Sequence, residues 1–192
     1  MSTAEEQYQK GIDQLRNAKY KEALQIFNSL IKEFPENADY FSERGVIYYH
    51  LKDKKRSLAD MDEAVRLQPK KSYRYSSRAY IRGHFKMIDL AIADYRKAVE
   101  LDPEDAIAHN NLGLLEEQIG YQDKAVEHFN IADELMEDDN SIPDYQSEQE
   151  ELAAEDSSEK VSSSIWNELR SLSTKEGRAS FRRFLQSGFK KT

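Results

Sequence analysis

Four histidines are the side chains of this sequence best suited to bind a metal ion or transfer a proton near neutral pH. They are His50, His84, His109 and His128. His50 and His84 lie 34 positions apart and would approach each other in a chain that repeats with that period. A zinc site takes three or four ligands, and no carboxylate at a suitable spacing completes this pair. We therefore expect no metal site and no cofactor.

The familiar catalytic motifs are missing from the sequence as well. It contains no glycine-rich phosphate loop, no His-Glu-x-x-His motif and no Gly-x-Ser-x-Gly motif. It has no cysteine, which excludes disulfides, thiolate metal sites and a cysteine nucleophile, and is typical of a reducing compartment. No stretch approaches the roughly 18 consecutive apolar residues of a membrane span. We predict a soluble, cytoplasmic protein that is not an enzyme.

Three arginines, Arg74, Arg78 and Arg82, step by four residues and would share one side of a helix. A phosphate or, better, an acidic peptide could lie along such a stripe, but a solvated helix face is the favoured explanation. Residues 1–132 carry 20 lysines and arginines against 22 aspartates and glutamates, which argues against a general binder of polyanions. We expect no nucleic acid partner.

The elements that would position these side chains are visible as a repeat. Five columns of similar residues recur every 34 positions, a period typical of stacked structural units. The columns are Pro35, Pro69 and Pro103; Gly11, Gly45, Ala79 and Gly113; Ala23, Ser57, Ala91 and Ala125; Phe27, Met61, Tyr95 and Phe129; and Leu30, Ala64, Ala98 and Ala132.

The spacing within each unit predicts two amphipathic helices. In the third unit, Leu90, Ile92, Tyr95 and Val99 recur at helical spacing, and Pro103 ends the helix because proline cannot continue its hydrogen bonds. The small residues of the two helices let them approach closely, and the large residue of the second helix fills the gap between units. One unit alone leaves an apolar face bare, whereas a stack buries it, so we predict an all-α fold.

This pattern resembles the tetratricopeptide repeat, a 34-residue helix-turn-helix with a small residue, an alanine, an aromatic residue and a terminal proline in this order. The units would span 4–37, 38–71, 72–105 and 106–139. The resemblance implies a right-handed superhelical solenoid of four helix pairs that binds other proteins without catalysis. Two departures from the pattern indicate altered end units. Gln7 lies in a column that often holds tryptophan, and Glu137 stands where the fourth unit would have its proline.

The resemblance also implies that the first helix of each unit lines a concave groove. Helical spacing around the small residue then gives the candidate peptide-binding residues. They are Tyr8 and Ile12; Ser42, Glu43, Tyr49 and His50; Tyr73, Ser77, Tyr80 and His84; and Asn110 and Asn111. Tyrosines offer a rigid apolar body with a polar tip, and amides can pair with a peptide backbone. Alternatively, several of these tyrosines pack between neighbouring first helices.

One use of such a groove in the family is a clamp for the terminal carboxylate of a chaperone tail, built from lysine, asparagine and arginine. The corresponding positions hold Tyr8 and Ile12, then Glu43, then Tyr73 and Ser77. A carboxylate needs fixed cationic donors, and Glu43 would repel it. We therefore expect that this protein does not bind a chaperone carboxylate.

The charge of the chain changes sharply after the fourth unit. Residues 133–159 hold 12 acids and no bases, whereas residues 160–192 hold 8 bases and 2 acids. We predict an acidic, serine-rich linker over 140–160 and a basic, amphipathic helical segment over 161–192.

This C-terminal segment is too short to form its own core, so its apolar side chains must be buried against something else. The predicted contact residues are Trp166, Leu169, Phe181, Phe184 and Phe189. The open end of the stack, the tyrosine-rich groove and a separate partner could each receive them, and the first two would make the chain dock on itself. A membrane surface is disfavoured by Glu168, by Glu176 and by the shortness of each apolar face.

The predicted function is therefore non-catalytic protein–protein recognition, by an adaptor or scaffold that binds a peptide or partner segment in the concave groove. The alternative is an accessory subunit of a complex that binds its partner through the C-terminal segment.

Overall fold

The computed structural model describes residues 3–137, and these residues form eight α-helices and no β-strand. The helices are α1 (Ala4–Arg16), α2 (Tyr20–Glu33), α3 (Ala38–His50), α4 (Lys54–Leu67), α5 (Ser72–His84), α6 (Ile88–Leu101), α7 (Ala106–Gln118) and α8 (Gln122–Glu137). The odd-numbered helices, here called first helices, begin 34 residues apart, and so do the even-numbered second helices. The predicted all-α fold is confirmed for this part of the chain.

Side chains just ahead of several helices fix where those helices begin. Thr3 starts α1 with a capping box: its hydroxyl accepts a hydrogen bond from the Glu6 N–H, and the Glu6 carboxylate accepts one from the Thr3 N–H. Asn37, Asp53 and Asp105 cap α3, α4 and α7 through their side-chain oxygens. The helices thus begin where short polar side chains satisfy otherwise unbonded N–H groups.

Prolines fix where the second helices end. Pro35, Pro69 and Pro103 stand two residues beyond the last helical residue of α2, α4 and α6. A proline cannot continue the helix and also disfavours helical geometry in the residue before it. The chain therefore turns at the same point in each of the first three pairs.

Each turn from a first to a second helix contains one residue in the left-handed region of backbone space. Ala18, Lys52 and Lys86 have φ angles of 55°, 61° and 60°, and Gly120 has a φ of 90°. Glycine adopts this conformation without strain, whereas the other three pay a steric cost. The sharp turn that brings α2 back onto α1 depends on this conformation.

Every helix packs against the next one along the chain, and this succession of neighbours builds a solenoid. Within a pair the helices approach closely, as the small residues predict. A methyl group on Gly45 would lie 3.2 Å from the carbonyl oxygen of Ser57, and the Ser57 hydroxyl donates a 2.8 Å hydrogen bond to the Gly45 carbonyl. Phe27 is buried between its own pair and the next, with its ring centre 5.9 Å from that of Tyr8 and 6.5 Å from that of Tyr40.

The arginine stripe on α5 is part of the scaffold, so its interpretations as a docking surface for an anion and as a solvated helix face are both wrong. Arg74 is buried and bonds to Asp39 and Gln68. Arg78 and Arg82 both pair with Asp94 of α6, at 2.7 Å each. These acids lie 12 to 35 positions away in the sequence, so the helical spacing of the arginines alone could not reveal that they are already paired.

Two predicted parts of the chain lie outside the described residues. They are the linker over 140–160 and the segment over 161–192, with its contact residues Trp166, Leu169, Phe181, Phe184 and Phe189. Among the residues that the structure does describe, no helix is both long and apolar enough to cross a membrane.

Candidate peptide-binding groove

The first helices form the inner side of the stack. The helix α1 contacts α3, and α3 contacts α5, in addition to the contacts between consecutive helices. Because the first helices of neighbouring pairs touch, their side of the solenoid is the more tightly spaced, concave one. We call the surface formed by the first helices the concave groove, and the twelve candidate residues all lie on these four helices.

The twelve candidate residues divide by burial into a floor and a rim. The eight buried ones form the floor: Tyr8, Ile12, Ser42, Glu43, Ser77, Tyr80, Asn110 and Asn111. The other four keep part of their surface exposed and form the rim: Tyr49, His50, Tyr73 and His84. A ligand would therefore first meet the partly exposed rings of the rim, above a floor that mixes aromatic, apolar and polar side chains.

Several floor tyrosines also pack against neighbours, as the alternative interpretation anticipates. The ring of Tyr8 lies 5.7 Å from that of Tyr40, and the ring of Tyr80 lies 4.4 Å from that of His84. Burial, with Glu43 and Asp39 adding to it, raises the pKa of the Tyr8 hydroxyl far above its ordinary value. Tyr8 thus remains a neutral hydrogen-bonding group at any physiological pH.

A cluster of aromatic and histidine rings occupies the end of the groove where α3 and α5 finish. A hydrogen bond of 2.8 Å joins the Tyr49 hydroxyl to Nδ1 of His84, and the ring of His50 stacks on Tyr20 at 4.9 Å. Burial lowers the pKa of His84 to about 4, and the charges of Lys52 and Lys86 add to this shift. His84 is therefore neutral at pH 7 and acts in this cluster as a polar ring.

An acidic cleft of about 530 Å³ opens where the groove begins, between α1 and the turn from α2 to α3. Four of its lining residues are acids, and three others are aromatic. They are Glu5, Glu33, Glu36 and Asp39, with Tyr8, Phe34 and Tyr40. Tyr8 and Asp39 belong to the groove as well, so the cleft and the groove are continuous. This mouth suits a ligand that combines positive charge with an aromatic side chain.

Amides line the other end of the groove, on α7. Nδ2 of Asn110 donates a 3.3 Å hydrogen bond to Oδ1 of Asn111. Nδ2 of Asn111 and Oε1 of Gln118 are buried and have no hydrogen-bond partner among the described residues. A buried donor or acceptor without a partner costs free energy, and the Asn111 side chain interacts with the Tyr95 hydroxyl of α6, so it belongs to the packing between helix pairs.

The histidines form no metal centre within residues 3–137, where no group of three or more potential ligands comes together. His109 is buried, and Nδ1 of His109 lies 3.0 Å from Nδ1 of His128. Nε2 of His109 donates to the carbonyl oxygen of Pro103 at 3.1 Å. These two rings therefore connect α7 to α8 and belong to the packing of the last pair.

Two family models match the sequence over its helical part. A model described as tetratricopeptide repeat matches residues 8–72, and a model described as TPR repeat matches residues 88–120. The chain is a tetratricopeptide repeat (TPR) protein. The resemblance on which the fold was predicted is thereby confirmed.

Solved structures of other TPR proteins are similar to this one. Residues 41 to the end of MamA from Desulfovibrio magneticus RS-1 share 25% identity, with a TM-score of 0.64 over 72% of this chain and 78% of that chain. YrrB, described as a TPR protein with an unusual peptide-binding site, shares 25% identity, with a TM-score of 0.59 over 71% of each chain.

A third similar structure is the first TPR domain of RPAP3 bound to the HSP90 peptide SRMEEVD. It shares 26% identity, with a TM-score of 0.55 over 60% of this chain and 92% of that chain. Curated protein sequences give no match. The TPR fold and these neighbours support a role in protein–protein interaction for this chain.

Proposed function

We propose that this TPR protein is a non-catalytic adaptor or scaffold that binds a segment of another protein in the concave groove. The observation that carries the proposal is the division of the groove into a buried floor and a partly exposed rim of aromatic and histidine rings. Aromatic side chains that keep one face exposed are the usual anchors of peptide recognition, since they bury much area at little cost in side-chain entropy. Similar TPR structures whose descriptions name a bound peptide or a peptide-binding site support this assignment.

The charges of the groove indicate which ligands fit. Glu43 is fully buried in the floor at the position where the carboxylate clamp would need a neutral amide, and Glu5 and Glu36 line the acidic mouth. An acidic peptide end would be repelled there, whereas a basic or neutral segment would be attracted. We therefore propose that the partner is not a chaperone tail ending in a carboxylate, and that its bound segment carries lysine or arginine beside aromatic residues.

Peptide selection against the full chain tests this proposal. Peptides selected from a random displayed library should be enriched in basic and aromatic residues. Tyr49→Ala or Tyr73→Ala should weaken the binding of a selected peptide about tenfold or more, the loss expected of an aromatic anchor. Tyr80 is a poorer choice, because its ring is buried and its loss would mix packing with binding.

Tyr121→Ala is the matched control, because Tyr121 is 52% exposed in the turn before α8, outside the groove. Affinity should be unchanged in this variant. If Tyr121→Ala weakens binding as much as Tyr49→Ala does, the groove is not the binding site. If only Trp166→Ala together with Phe184→Ala abolishes capture of a partner, the C-terminal segment is the binding element and the groove assignment fails.

A further inference from the structure

The concave groove is closed to solvent to an unexpected degree. Glu43, Ser77 and Asn110 are each no more than 2% exposed. Side chains on the inner side of a helical stack contact the flanking first helices, and their terminal polar atoms point into the groove. Near-complete burial of charged and amide tips in this position is what a filled groove gives.

The groove and its mouth are also distinctly acidic. Glu5, Glu33 and Glu36 line the mouth, and Glu43 is buried on α3. Arg74 pairs with Asp39 and bonds to Ser42, and Lys52 lies 5.2 Å over the ring of Tyr49, so the negative charge is concentrated at the mouth. A segment that fills this groove should therefore be basic.

We propose that residues 161–192 of the same chain are the segment that fills the concave groove. They carry seven lysines and arginines against two glutamates, and three phenylalanines with the single tryptophan of the protein. This is the combination of positive charge and aromatic side chains that the acidic mouth and the tyrosine-lined groove fit.

The length of the connection allows such docking. Helix α8 ends at Glu137, so 23 residues separate it from residue 161. A chain of 23 residues can extend to at most about 75–80 Å, well beyond the roughly 24–30 Å that separate α7 from α1 at 8–10 Å per neighbouring first helix. A tethered segment competes at an effective concentration of about millimolar, so even a weak intramolecular contact would keep the groove occupied.

This inference deepens the proposed function, on which it rests. The C-terminal segment acts as a built-in competitor that an external partner must displace, and displacement would expose its aromatic side chains. Weakening the segment's own contacts should then strengthen binding of a selected peptide severalfold.

The single tryptophan allows a direct test in the full chain. Trp166 emission is measured with acrylamide as the quencher, over a range of protein concentrations, with far-ultraviolet circular dichroism to verify the fold. We expect a quenching constant several-fold below that of the same chain unfolded in guanidinium chloride, and independent of protein concentration. If the quenching constant of Trp166 is the same in the folded and the unfolded chain, the proposal is overturned. Shielding of Trp166 that develops only as the protein concentration rises also overturns it, because it indicates contact with a second copy.

Charge reversal locates the docking site. Glu5→Lys with Glu36→Lys changes two exposed acids of the acidic mouth and should raise the quenching constant severalfold. Glu22→Lys with Asp89→Lys makes the same charge change at exposed positions of the second helices α2 and α6 and should leave quenching as in the wild type. Equal effects of the two double variants, or none, would contradict docking in the groove.

The outcome separates this inference from the proposed function. If Trp166 is shielded and released by the charge reversal at the mouth, but groove substitutions never alter peptide affinity, the docking stands and the proposed function falls. If Trp166 is accessible while Tyr49→Ala still weakens peptide binding, the groove remains a binding site and self-docking is rejected.

Discussion

At the scale of single residues, two glycines in similar helices have very different surroundings. A methyl group on Gly113 would lie 2.7 Å from the ring of Phe129 and 3.1 Å from the carbonyl oxygen of Ala125. A methyl group on Gly83 would meet nothing within 4 Å. The same substitution therefore tests close helix packing at one site and helix propensity alone at the other.

Gly113→Ala should lower the free energy of unfolding by about 1–2 kcal/mol, because overpacking outweighs the better helix propensity of alanine. Gly83→Ala should raise it by about 0.5–1 kcal/mol, since only propensity changes. Urea titration of both variants measures these effects. Two changes of the same sign would mean that α7 and α8 do not approach as closely as the structure shows.

A second residue-scale prediction concerns pH. The pKa of His84 falls from 6.5 in the unfolded chain to about 4 in the folded one, so below pH 6.5 the unfolded state binds the extra proton first. The free energy of unfolding should therefore decrease as the pH falls from 6.5 towards 4. Burial raises the pKa of Asp105 to about 6, which contributes with the opposite sign as the pH falls from 6 towards 4.

The His84→Gln variant isolates the histidine contribution. Between pH 7.5 and pH 5, the wild type should lose about 2 kcal/mol more stability than this variant does. Urea titration at both pH values measures the difference. Parallel losses in the two proteins would show that His84 does not titrate differently in the folded chain.

At the scale of elements, the turns between first and second helices contain backbone strain that could not be predicted from the sequence. Ala18, Lys52 and Lys86 occupy the left-handed region where only the last turn has a glycine, Gly120. Around Ala18 the N–H of Lys19 bonds to the carbonyl oxygen of Gln14 at 2.8 Å, which is the helix ending that favours glycine.

Ala18→Gly should raise the free energy of unfolding by about 0.5–1 kcal/mol, because it removes the left-handed strain of alanine. Ala59→Gly, at an exposed position within α4, should lower it by about 1 kcal/mol. Thermal and urea denaturation check both. If both variants lose stability equally, the turn after α1 does not require the left-handed conformation.

The helices could be predicted from the sequence, while the contacts between their polar side chains could not. The columns at Pro35, Gly45 and Ala91 report local periodicity, which one sequence displays directly. The pairing of Arg78 with Asp94 and Asp62 joins three helices over 16 positions in each direction, and nothing in the spacing of α5 reveals it. Burial of Asn111 and Glu43 in the groove floor likewise depends on the assembled stack.

The ion pairs between neighbouring helix pairs also change polarity along the stack. Between α4 and α5 the acid Asp62 lies on the second helix and pairs with Arg78 and Arg82. Between α6 and α7 the order is reversed, because Arg96 of the second helix pairs with the buried Glu116 at 2.6 Å. Because the acid and the arginine exchange sides between these two interfaces, stacking the similar helix pairs in the wrong order would lose the ion pairs.

At the scale of the whole molecule, the division of charge determines how the parts act on one another. The stack is nearly neutral over residues 1–132, the following 27 residues are strongly acidic, and residues 160–192 are basic. Under the proposed docking, the basic segment would be an intramolecular ligand of the same groove that is the proposed site for a partner. Regulation and binding would then share one surface.

The central claim is tested most directly by titrating a selected peptide into the full chain. Trp166 quenching and peptide binding are recorded together in this titration. If the concave groove is the binding site and residues 161–192 fill it, Trp166 should become accessible in proportion to the fraction of peptide bound, and Tyr49→Ala should shift both curves to higher peptide concentration. Saturation of peptide binding with Trp166 unchanged, or with both curves unaffected by Tyr49→Ala, would contradict it.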